Sequence, residues 1–143
     1  MTLESKPLAA ICGRYDGEGR WVDETGETKP YKVDLRIEPI EGGRVRKWFR
    51  HDFVEEGLVT EQAVILEPRA GGVLGVSMDG APVTGRGYFT GEVLHYELDV
   101  PNNRVEVSLV FSQTGVVSVT GSAQKNGLGR FIWWTEQLTF SGS

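Results

Sequence analysis

The sequence predicts an all-β protein, a single antiparallel up-and-down β-barrel of about ten strands with little helix. Three observations predict it. Period-two alternation of apolar and polar residues dominates the longest patterned stretches, turn residues interrupt it at nearly regular intervals, and helical periodicity is nearly absent.

The chain of 143 residues, 39% hydrophobic and 24% charged, has the size and make-up of one domain, 1–143, with a substantial core. No apolar run approaches the roughly 18 residues of a membrane-spanning helix. The net charge of -5 is the wrong sign for an electrostatic nucleic-acid or anionic-membrane binder, so neither partner is expected. A single Cys12 excludes an internal disulfide framework and a CxxC zinc or redox site. The early apolar stretch is about five residues, below the ~7 to 15 of a secretory signal, and the chain reads as cytoplasmic.

A first strand is expected around Ala10 to Val22. In the second, Lys29 to Glu38, Tyr31, Val33, Leu35 and Ile37 alternate with Lys32, Asp34, Arg36 and Glu38, giving one buried and one wet face. After the turn Glu41-Gly42-Gly43, Val45, Lys47, Phe49, His51 and Phe53 point one way, and Arg46, Trp48, Arg50 and Asp52 the other. Further strands are expected at Leu58 to Glu67, Val73 to Met78, Val83 to Thr90, Val93 to Val100, Arg104 to Ser112, Val116 to Ala123 and Arg130 to Phe140. Turn chemistry separates them, as at Glu56-Gly57, Asp79-Gly80, Thr114-Gly115 and Lys125-Asn126-Gly127. Links this short make neighbours antiparallel and favour a meander over Greek-key crossings. Closure of the meander removes its edges. Leu58 to Leu66 is apolar at both parities, which predicts burial on both faces and a homodimer through its outer face.

The segment Cys12-Gly13-Arg14-Tyr15-Asp16-Gly17-Glu18-Gly19 resembles the opening of calycin-type barrels, nearest in look to the nitrobindin and fatty-acid-binding-protein-like group. Members begin with Gly-x-Trp followed by Gly-x-Gly, and Tyr15 stands where the tryptophan would be. Gly13, Gly17 and Gly19 lack Cβ atoms, so the strand can bend or bulge enough to close the sheet. The resemblance implies that Tyr15 plugs the closed end, with Arg130 of the last strand stacked across it. It also implies haem held by a histidine near the carboxyl end, or a carboxylate held by Arg-x-Tyr on the last strand. Arg104 to Phe140 contains no histidine, and Arg130-Phe131-Ile132 keeps the arginine without the tyrosine, so neither function is carried over.

The lumen of such a barrel is the expected site. Alternation predicts a lining of Tyr31, Val33, Leu35, Ile37, Phe49, Phe53, Leu94, Tyr96, Leu98, Val105, Val107, Leu109 and Phe111. Adjacent Trp133 and Trp134 must face opposite sides of their strand, and Trp134 is taken as the lumenal one. His51 is expected inward and His95 outward, which disfavours a metal site between them. No spacing of His, Cys, Asp and Glu suits a metal, and no inward carboxylate pair stands out, Glu97 and Asp99 being the ones to check. The basic run Arg44, Arg46, Lys47, Arg50 and His51 splits between faces and reads mainly as solvated surface.

These residues predict a non-catalytic protein that holds an apolar or amphipathic small molecule, with His51, Phe49, Phe53, Tyr31, Tyr96, Trp134 and Arg130 as ligand contacts. One alternative is a lumenal enzyme, with or without haem, as a nitrobindin-like isomerase would be. Another is a filled barrel whose outer face is the interaction surface.

Overall fold

In a computed structural model the strand pattern is realised as one closed sheet; residues 7–78, 83–100, 103–125 and 131–143 are described. The ten strands among them are β1 (Gly13–Asp23), β2 (Thr28–Pro39), β3 (Val45–Phe53), β4 (Leu58–Pro68), β5 (Val73–Met78), β6 (Thr84–Phe89), β7 (Val93–Val100), β8 (Asn103–Phe111), β9 (Val116–Lys125) and β10 (Ile132–Gly142). Each pairs antiparallel with the next, and β1 pairs with β10 to close the barrel. The up-and-down meander is therefore as expected.

Several boundaries move. The sequence from Leu8 to Ile11 forms a 3-10 turn instead of the start of β1, because its apolar residues cover one end of the barrel; Leu8 and Ile11 are buried there. The strand then begins at Gly13, whose φ of 149° suits glycine. Gly17 allows a close approach: a Cβ there would lie 2.0 Å from the Gln137 carbonyl oxygen on β10. The last strand begins at Ile132, and Arg130 lies outside the described residues.

β4 corrects the expectation of burial on both faces. Leu58 and Val59 are 49% and 43% exposed, and only Ala63 to Leu66 is shielded from solvent. The reason lies in strand lengths: β5 pairs with Val64 to Pro68 alone, so the first half of β4 is bonded only to β3 among the described residues.

The inward face divides the barrel into two halves. In one, Ile37, Val45, Leu66, Leu74, Leu94, Leu109 and Leu138 fill the interior with almost no exposure. Removing one such side chain, as in Leu109→Ala, costs about 2–5 kcal/mol through lost contacts and the cavity left behind. Tyr15 closes this end, packed edge-on against Phe111 and Phe140, its hydroxyl donating to the Ile11 carbonyl at 2.7 Å. Cys12 packs beside this core, where burial pushes its thiol pKa up. The strand ends Asp23, Phe53, Met78, Val100 and Ile132 gather at the other end, where Asp23 organises the β1–β2 turn by accepting from the Thr25 and Glu27 amides.

Candidate functional site

The half of the lumen away from Tyr15 holds a cavity of about 660 Å³. Its walls are mainly apolar, with Val33, Leu35, Leu98, Val105, Val107, Leu109 and Val119 around aromatic Trp21, Tyr31, Phe49, Phe53, Tyr96 and Trp134. A barrel filled throughout is thus ruled out for this half. Ile37, Leu94 and Phe111, expected in the lining, belong to the packed half below.

Period-two geometry on β3 aims Lys47, Phe49, His51 and Phe53 into the cavity one above another. Register places Lys47 opposite Ile37 and Val64, and His51 opposite Val33 and Thr60. Lys47 is buried, and its Nζ donates to the Tyr96 hydroxyl at 2.7 Å. That bond runs from β3 to β7 and forms the floor of the cavity. β6 leaves room beside it, because Gly87 pairs with Tyr96 and presents no side chain inward.

The second polar cluster sits nearer the mouth. Glu136 on β10 is buried, its Oε2 accepting from the Tyr31 hydroxyl at 2.7 Å and lying 3.3 Å from His51 Nε2. The His51 ring is flanked by Tyr31 and Phe49, with centroids 4.6 and 5.2 Å away. Burial, together with the Glu136 charge and hydrogen bond, raises the Tyr31 pKa well above the tyrosine range, so its hydroxyl remains a donor. Gly19 makes the meeting of these groups possible. It pairs with both Tyr31 and Glu136, and a Cβ there would lie 2.5 Å from the Tyr31 ring.

Trp134 faces the cavity, its indole laid over Gly121 of β9, and Trp133 is 46% exposed on the outside. Arg130, expected among the ligand contacts, lies outside the described residues. Gly13, Gly17 and Tyr15 belong to closure, whereas Gly19 belongs to the site as well.

The two carboxylates singled out for checking do not enter the lumen. Glu97 and Asp99 share the outer face of β7; Glu97 meets Arg104, Arg86 and His95 there, and these hold its pKa below the usual range against a desolvation that works the other way. His95 is outward as expected, 2.7 Å from the Ser108 hydroxyl. Glu136 is the lumenal carboxylate instead. Its signal was available in the parity of β10, where Trp134, Glu136 and Leu138 share a face. The parity of β3 turns Lys47 inward, and only the contact with Tyr96 gives it a role.

No three His, Cys, Asp or Glu side chains among the described residues could hold a metal ion together. His51 Nε2, the nitrogen a haem iron would take, is turned to Glu136, so this arrangement does not fit haem.

No family model and no curated protein matches the chain. Solved structures do. The S-type phycobiliprotein lyase CPES from Guillardia theta superposes with a TM-score of 0.77 at 9% identity, over 94% of this chain and 90% of that one. A protein of unknown function from the DUF3598 family of Nostoc punctiforme gives 0.72 at 8% identity, over 97% of this chain and 51% of that one. Rv2717c from M. tuberculosis gives 0.70 at 13% identity, over 96% and 99%. The fold is a calycin-like barrel. Identities this low establish the architecture alone; the chemistry of this calycin-like barrel is set by its own lumenal side chains.

Proposed function

We propose that the protein binds one apolar or amphipathic small molecule in its lumen. The observation that carries this reading is the cavity of about 660 Å³, apolar over most of its wall, with a few polar groups converging at two levels. The likeness to a phycobiliprotein lyase is compatible with a small-molecule role and does not specify the ligand. Native mass spectrometry of the purified chain, together with a lipophile panel followed by tryptophan fluorescence, tests it. Bound mass or saturable fluorescence change is expected, and silence in both overturns it.

A second reading makes the lumen a reaction vessel, and the His51–Glu136–Tyr31 cluster favours it, since an imidazole beside a buried carboxylate can pass a proton. Incubation with an amphiphilic ketone in deuterated water would then exchange the proton beside the carbonyl, and Glu136→Gln would abolish the exchange. We also propose a cytoplasmic protein that dimerises along β4, supported by exposed Leu58 and Val59 in the first half of that strand, which among the described residues is bonded to β3 on one side only. A monomer mass by light scattering overturns the dimer.

A further inference from the structure

Lys47 is 5% exposed, with its ammonium over the Phe49 ring at 4.5 Å and the Tyr96 ring at 5.0 Å. Its one hydrogen-bond partner among the described residues is the Tyr96 hydroxyl, and no described carboxylate lies within ion-pair distance. Glu136 cannot serve, because it is held by Tyr31 and His51, four residues or about 13 Å farther along β3 at the usual strand rise. Ring faces and a neutral phenol solvate part of an ammonium and supply no negative charge. The Tyr96 oxygen accepts from Lys47 and keeps its own proton to give. Two donors therefore converge at the floor of an otherwise apolar chamber, with a single positive charge between them.

We propose that Lys47 and Tyr96 bind the head group of an organic monoanion, an amphipathic carboxylic acid whose apolar body rises past Phe49 toward the mouth. One cation matches one carboxylate; a dianionic phosphate would bring a charge that nothing at this level of the lumen offsets. This rests on the lumenal-binding reading and gives it a ligand class.

Dodecanoate and dodecanol, matched in chain length, separate the two ideas when titrated into the full chain at neutral pH with tryptophan fluorescence as readout. Dodecanoate is expected to bind about tenfold tighter or more, in line with a charge-assisted hydrogen bond. Lys47→Met should erase that preference while still binding the alcohol, and Lys47→Arg should keep part of it. Equal affinity of the wild-type protein for acid and alcohol overturns the anion site and leaves lumenal binding standing. Binding of neither overturns both. Should Lys47→Met fail to fold, the wild-type ratio of acid to alcohol decides alone.

Discussion

Tyr31 and Glu136 meet across a glycine. They sit on β2 and β10, the two strands that flank β1, each opposite Gly19, and the Tyr31 hydroxyl reaches over that bare backbone to donate to Glu136 at 2.7 Å. The Gly19 position, the aromatic ring and the carboxylate are one unit, although 105 residues separate Tyr31 from Glu136.

Gly19→Ala puts a methyl group 2.5 Å from the Tyr31 ring, and that ring cannot move without giving up Glu136. A loss of about 1–3 kcal/mol in urea unfolding is expected, the range for overpacking. Tyr31→Ala should absorb most of that loss, so the double mutant falls short of additivity. Additive losses would separate Gly19 from the site.

Tyr31 also predicts an alkaline limit. Its folded pKa is raised above the ordinary value of 10, so the folded state keeps a proton that the unfolded chain releases. Stability from this group is complete below pH 10 and falls as pH rises above it, by up to about 1.4 kcal/mol per pH unit. Denaturant midpoints measured across that range should fall less steeply in Tyr31→Phe, and the phenolate absorbance that appears only on unfolding should be smaller in Tyr31→Phe than in the wild-type protein, the remainder including Tyr15, which burial also raises.

Tyr15 tests whether plug and site are separate. Tyr15→Phe removes the hydrogen bond to Ile11 and should cost about 0.5–1.5 kcal/mol, while ligand affinity stays unchanged because Tyr15 does not border the cavity. A change in affinity beyond about threefold, roughly 0.7 kcal/mol by the usual conversion, would argue that the halves communicate.

The tryptophan pair gives an optical check. Trp134→Phe should remove much of any ligand-dependent fluorescence change, since the indole borders the cavity, and Trp133→Phe should leave it intact. The reverse result would mean that ligand binds outside the barrel.

The strand content, the meander and the parity of side chains were legible in the sequence, because alternation such as Tyr31-Val33-Leu35-Ile37 is a local consequence of a pleated strand with one dry face. The same parity named His51 and Lys47 as inward, and it set Trp133 and Trp134 on opposite faces without deciding which one enters the lumen. It could not say how far along the lumen filling stops, which is why Ile37, Leu94 and Phe111 were counted with the cavity. It failed at β4, where exposure depends on the length of the neighbouring strand.

By itself, then, the sequence determined that this chain forms an antiparallel meander and which face of most strands turns inward, since both follow from residue spacing and short turns, and the resemblance of its glycine-rich opening to calycin-type barrels pointed to closure. Only the tertiary structure decided which inward groups meet. Tyr31 with Glu136, and Lys47 with Tyr96, are brought together by closure and register across strands distant in sequence, and no local pattern encodes those distances.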